Sequence, residues 1–215
     1  MKQAAVPRAV VFDLGKVLID FDYGILARRM APQSAIPADA ILAVVNQTPL
    51  LHRYETGLMS DREFFEAVVA ATGFRGGETE FLAWFGDIFT EIGPMVALQQ
   101  ALVGRGVPTY VFSNTNAQAI RHVRQSFPFY RQFTGEVLSY EVRSMKPDTR
   151  IYEAVEALSG FSGEDLLYLD DRSENIAAGA ARGWQAWIHD DPRQTVPRVS
   201  ALMGLEAGTI PVVGS

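Results

Sequence analysis

Four short segments of the 215-residue chain place a polar residue at the end of an apolar run. They are Asp13 in Val11-Phe12-Asp13-Leu14-Gly15-Lys16, Ser113 in Phe112-Ser113-Asn114-Thr115, Lys146 in Met145-Lys146-Pro147-Asp148, and Asp170-Asp171 after Tyr168-Leu169. Moving a phosphoryl group needs a nucleophile in line, a cation to neutralise the non-bridging oxygens, and positioned donors. A carboxylate can attack phosphorus to give an aspartyl-phosphate. Carboxylates and a main-chain carbonyl are the hard oxygen ligands that suit Mg²⁺, so Asp13 and Asp171 are expected to share that ion. Singly, each segment also reads as a strand terminator, a helix cap or a turn. Adjacent acids beside a buried strand are harder to dismiss, because close carboxylates repel unless a cation holds them.

The elements that must carry these residues alternate. Ala9 to Phe12 reads as a fully buried parallel strand that stops at a glycine-bearing turn. Further strands are predicted at 108–112, 136–138, 166–169 and 185–188, with helices over 95–103, 116–125, 150–158, 176–182 and near Val199 before a loose tail. Between about Phe21 and Ile92 the pattern is helical, with the capping box Ser60 to Glu63 ahead of Phe64, Phe65, Val68 and Val69. The expected architecture is α/β: a Rossmann-like parallel sheet core formed by residues 1–20 and 93–215, with a small helical cap, 21–92, inserted between the first and second motifs. In such sheets ligands bind outside the carboxyl ends of the strands, where all four motifs cluster.

Composition narrows the function classes. With 48% hydrophobic residues the chain can bury a sizeable core. A net charge of −6 without a basic run argues against nucleic acid as a partner. The cysteine-free chain excludes disulfides, thiolate zinc sites and cysteine nucleophiles, and fits a reducing cytoplasm. The polar N-terminus, Met1 to Arg8, leads into an apolar run ending at Asp13 that is too short for a signal peptide or a membrane span, and reads as soluble and untargeted.

The order, spacing and wording of the four motifs resemble the haloacid dehalogenase-like superfamily over roughly residues 8 to 190, in the branch with a small helical cap after the first motif. The resemblance implies that Asp13 is the nucleophile, that Ser113 and Asn114 contact the substrate, and that Lys146 steadies nucleophile and phosphoryl charge. It also implies that Asp171 holds Mg²⁺ together with Asp13 and the Gly15 main-chain carbonyl, with Asp170 supporting or completing that site. The expected activity is hydrolysis of a small phosphorylated metabolite, with sugar phosphate as the leading class, by a monomer or dimer.

The chain departs from that family at Gly15, where most phosphatases carry the aspartate that protonates the leaving alcohol. Loss of such an acid costs on the order of 10²–10⁴-fold in rate, so good leaving groups are expected to be favoured. Glucose-1-phosphate phosphatase-like proteins, which this chain resembles, also write Asp-Leu-Gly here. Lys16 would repel a nearby metal unless its side chain turns away. Asn175 stands where a further aspartate is often found and could orient Lys146 or a metal-bound water.

Two other readings compete. A hydrolytic 2-haloacid dehalogenase attacks through its first aspartate without a metal, which would leave Asp170-Asp171 unexplained. A catalytically weak relative that binds a phosphorylated ligand or a protein partner would carry Gly15 and Lys16 as marks of decay, against the joint survival of the other roles. A phosphonate hydrolase would need a cap lysine, and the lysines are Lys2, Lys16 and Lys146; a phosphomutase would need the missing aspartate. In the cap, His52, Arg53, Tyr54 and Glu55 could face the substrate, whereas Phe81, Trp84 and Phe85 read as cap core. Asp20 or Asp22 could replace the missing acid, though Asp22 reads more readily as a helix N-cap. Arg121, His122, Arg124 and Arg131 read as a solvated face.

Overall fold

The computed structural model describes residues 5–206 and 210. In chain order the elements of the first half are β1 (Ala9–Phe12), β2 (Ile19–Phe21), α1 (Tyr23–Met30), α2 (Ala38–Val45), α3 (Pro49–Glu55), α4 (Asp61–Thr72), α5 (Glu78–Gly86) and β3 (Phe89–Glu91). They are followed by α6 (Gly93–Gly104), β4 (Thr109–Ser113), α7 (Ala117–Ser126), β5 (Gly135–Leu138), α8 (Ser139–Val142), α9 (Thr149–Ser159), β6 (Leu166–Asp170), α10 (Ser173–Ala181), β7 (Gln185–Ile188) and α11 (Pro192–Met203).

Five strands form one sheet in the order β5-β4-β1-β6-β7, and every pairing is parallel. β1, β4 and β6 are buried along their whole length, as strands covered on both faces must be. Alternate residues serve the two faces. Val10 and Phe12 pack with Val111, Leu167 and Leu169 on one side, while Ala9 and Val11 pack with Phe112, Leu166 and Tyr168 on the other. From β1 the chain moves outward through β4 and β5, then returns to the other side of β1 through β6 and β7. β1 therefore sits where the strand order reverses, the crevice in which open parallel sheets bind ligands.

Helices α1 to α5 enclose a separate apolar cluster built around Leu26, Met30, Ile41, Phe64, Phe81 and Phe85. Ser60 caps α4 through a complete capping box with Glu63, and Gly73 ends it in the left-handed region. Trp84 packs at the edge of this cluster.

The short strands β2 and β3 differ from the sequence expectation, which allowed little strand in this stretch. They pair antiparallel, Ile19 with Glu91 and Phe21 with Phe89, and tie the two ends of the insertion into a neck. Three-residue strands that meet across the whole insertion leave no local periodicity to read. The loose tail expected after α11 falls on residues 207–209 and 211–215, outside the described residues. Among the described residues no helix is long and apolar enough to cross a membrane.

Candidate active site

Each of the three inner strands delivers one polar group to the same edge. Phe12 pairs with Val111 and Leu169, which sets Asp13 level with the carboxyl ends of β4 and β6. Asp13 follows β1 directly, Ser113 is the last residue of β4, and Asp170 is the last residue of β6. Lys146 reaches this edge from the loop between α8 and α9.

The Lys146 ammonium is buried and has three partners for its three hydrogens. It donates to the Phe112 carbonyl at 2.8 Å and to Asp170 Oδ2 at 2.6 Å, and pairs with Asp13 Oδ1 at 2.9 Å. Burial alone would lower its pKa, but Asp13 and Asp170 outweigh that and hold it above the usual lysine range. Asp13 Oδ1 also accepts the Leu14 amide at 2.7 Å, and among the described residues nothing donates to Oδ2. Burial, helped by the charges of Asp170 and Asp171 and opposed by Lys146, raises the Asp13 carboxyl to about 7.

Asp170 is fully buried with both oxygens engaged. Oδ1 accepts the Arg172 amide at 2.8 Å and the Asn175 amide at 3.0 Å, while Oδ2 accepts Lys146, Tyr168 and Asn175. Burial opposes its charge, yet the Lys146 ammonium and hydrogen bond keep its pKa below the usual carboxylate value. The expectation that Asp170 helps to ligate a metal is thereby narrowed, since a carboxylate has about four lone-pair sites and these are taken. Asn175 steadies Asp170, and only through it Lys146.

The other expected contacts divide. The Ser113 hydroxyl lines the cavity with only a long 3.4 Å contact to the Asn114 carbonyl, so it is free to donate. Asn114, expected to touch substrate, lines the cavity and closes its side-chain amide on the Lys146 backbone. Its Oδ1 accepts the Lys146 amide at 2.8 Å and its Nδ2 donates to the Lys146 carbonyl at 3.1 Å. Lys16 adopts φ 61° and turns to Asp20, the Phe21 carbonyl and the Phe21 ring, which holds its charge on the rim. Asp20 is thus an ion-pair partner, and Asp22 caps α1 by accepting the Gly24 amide at 2.7 Å.

Gly15 is where the Phe21 ring lies. A Cβ at position 15 would stand 2.9 Å from Phe21 Cε1, so an acid cannot be restored there without moving that ring. The cation test is met by the chemistry of the neighbouring donors: Asp13 and Asp171 each bring a carboxylate oxygen to within 4.8 Å of the other, beside the occupied Asp170. Asp171 is the most open of the three, and its pKa is raised by burial and by Asp170.

A cavity of about 580 Å³ spans this floor and the helical insertion. The insertion contributes Tyr23, Leu42, Asn46, Gln47, Leu51 and Glu55 to its walls. Of the segment 52–55, His52 and Arg53 point outward, and Tyr54 is buried against Phe64 with its hydroxyl donating to Asp61. Only Glu55 faces the cavity. Arg172 also lines it; the sequence signal was its position directly after the paired acids. Arg121, Arg124 and Arg131 are exposed, as a solvated face requires, with Arg121 paired to Asp61 of the insertion and Arg124 to Glu136; His122 departs from that face, half-buried beside Phe89.

Residues 7–183 match the haloacid dehalogenase-like hydrolase family, and the chain belongs to it. Over 200 residues it is 24% identical to a sesquiterpene phosphatase of Aspergillus oryzae, covering 92% of this chain and 97% of that one. It is 26% identical over 192 residues to a D-ribitol-5-phosphate phosphatase of Bacteroides thetaiotaomicron, covering 83% and 89%. A haloacid dehalogenase family enzyme of the same bacterium, solved with magnesium and inorganic phosphate, shares the fold with a TM-score of 0.69 at 22% identity, covering 86% of this chain and 94% of that one.

Proposed function

We propose that the protein is a Mg²⁺-dependent phosphatase that hydrolyses a small phosphate monoester through an aspartyl-phosphate on Asp13. The observation that carries this reading is Asp13 Oδ2, free of donors at the strand-order switch point, while Oδ1 is held by Leu14 and Lys146. Asp13 attacks phosphorus, the Ser113 hydroxyl donates to a phosphoryl oxygen, and Lys146 keeps the nucleophile oriented and favours its charged form. Asp13, Asp171 and the Gly15 carbonyl would hold Mg²⁺, which when bound supplies charge neutralisation to the non-bridging oxygens. Asp170 holds Lys146. The names of both phosphatase relatives support phosphate ester hydrolysis, and the magnesium-bound neighbour supports the ion.

A sugar or polyol phosphate is the leading substrate class, supported by the polar groups of Asn46, Gln47 and Arg172 around a cavity of suitable size. The apolar side chains of Leu42, Leu51 and Met145 favour a phosphate with an apolar tail as the second reading. Release of inorganic phosphate from p-nitrophenyl phosphate should require Mg²⁺, stop with a chelator, and fall on the order of 10⁴-fold or more in Asp13→Asn. Persistence of turnover in that variant would overturn the reading. A screen of polyol and prenyl phosphates separates the two classes.

A further inference from the structure

We propose that Glu55, on the helical insertion, is the proton donor to the leaving alcohol and the proton acceptor from the attacking water, the role left vacant at position 15. This deepens the phosphatase reading and rests on it.

The position of Glu55 is built by the chain around it. It is the last residue of α3, which ends in a Schellman motif: Leu58 N–H donates to the Arg53 carbonyl at 2.9 Å and Gly57 N–H to the Tyr54 carbonyl at 3.0 Å. Gly57 takes φ 70°, and a Cβ there would stand 2.2 Å from the Tyr140 carbonyl, so the turn sits directly on the core. Ser139 donates its hydroxyl to the Glu55 carbonyl at 2.6 Å. Two core-facing anchors thus hold α3 at the cavity, and the Glu55 carboxyl lines it with no hydrogen bond or ion pair among the described residues.

The other groups on the cavity cannot do this work. Asp13 is the nucleophile, Asp171 would hold the cation, and Lys146 has all three hydrogens engaged. Arg172 carries donors only, with no site to accept a proton, and bonds Glu174. Tyr23, from α1, is held well above its usual pKa by burial and by the charge of Glu55. Lys16 and Asp22 bond to Asp20 and to Gly24 and Arg28 on the rim. Glu55 is itself pushed up to about 8 by burial, with Arg172 pulling down and Asp13 pushing up, so it carries a proton at neutral pH.

As Asp13 bonds to phosphorus, the phosphorus–oxygen ester bond breaks, and its electron pair takes the Glu55 proton to release the alcohol. In the second step Glu55 carboxylate removes a proton from water as the water oxygen bonds to phosphorus. The Asp13–phosphorus bond breaks, phosphate leaves, and Asp13 and Glu55 return to their starting states.

The test compares kcat/KM of Glu55→Gln on a polyol phosphate and on p-nitrophenyl phosphate, whose leaving group needs no proton. The polyol ester should lose on the order of 10²–10⁴-fold, the nitrophenyl ester less than about tenfold, with a nitrophenolate burst equal to the enzyme before slow turnover. In the wild type, kcat/KM for the polyol ester should fall above about pH 8 as Glu55 ionises, and that limb should vanish in Glu55→Gln. Equal losses on both esters, or no loss, would overturn the inference. If Glu55→Gln does not fold, Glu55→Asp should retain part of the polyol activity, and equal losses there would overturn it likewise. An active wild type silenced by Asp13→Asn keeps the phosphatase reading intact whichever way Glu55 falls; a wild type that cleaves neither ester removes both.

Discussion

The floor and the roof of the cavity are built on opposite terms. On the floor, Lys146 and Asp170 have every strong donor and acceptor engaged, down to the Tyr168 hydroxyl and the Asn175 amide. On the roof, Glu55 presents a half-buried carboxyl with no bonded partner. A fully satisfied network in a low-dielectric interior holds charge in one arrangement, which suits stabilisation of a developing phosphorane. An unsatisfied carboxyl is free to exchange a proton, at a cost in stability that the fold carries elsewhere. The difference teaches that a seat in the core favours electrostatics and a seat on the insertion favours proton traffic.

The largest expected break of this contrast is Lys146→Met. It leaves Asp13 and Asp170 buried without their counter-charge, and should lower stability by about 3–5 kcal/mol in denaturant titration. An unchanged midpoint would mean the floor is not held by that ammonium.

Asn114→Ala removes both hydrogen bonds to the Lys146 backbone and should cost about 1–3 kcal/mol. Its kinetic effect should fall on kcat rather than KM, because both ends of the side-chain amide are bonded to the Lys146 backbone. A purely KM effect would return Asn114 to the substrate contacts.

The last contrast is one of pH, and the two faces should respond in opposite directions. Asp170 is held below its unfolded value of 3.8, so its contribution is present above that value and is lost as the pH falls through the lower folded pKa. Glu55 is raised from 4.5 to about 8, so the stability it contributes is present below pH 4.5 and lost as the pH rises through about 8. Glu55→Gln should therefore melt higher than the wild type at pH 9 and the same at pH 4. A variant that melts lower at pH 9 would show that the carboxylate has a partner.

Much of the core was legible because its signals are local. The buried runs ending at Phe12, Phe112 and Leu169 announced strands, and the polar residue after each announced the edge. The Ser60–Glu63 box starting α4 was readable for the same reason, whereas α7 is capped by Asn116, one residue beyond the Ser113–Thr115 segment read as its cap. The β2–β3 neck was not, because its partners are joined only by folding of everything between them. Nor was the direction of Lys16, which depends on a backbone turn to φ 61° and on the Phe21 ring beside it.

The sequence by itself determined which groups stand at the strand ends, since an apolar run must stop where the sheet meets water and a polar residue there has one place to go. Only the tertiary structure decided which of those groups remain available. Asp170 and Asn114 are occupied by long-range donors and acceptors, and the slot beside Gly15 is filled by Phe21. The same packing that seats α3 on the core brings Glu55, 42 residues from Asp13 in the chain, to the wall of the same cavity. Local pattern follows from backbone geometry and the avoidance of water. Proximity across so many residues follows from how two apolar cores settle against each other, which no short stretch of sequence encodes.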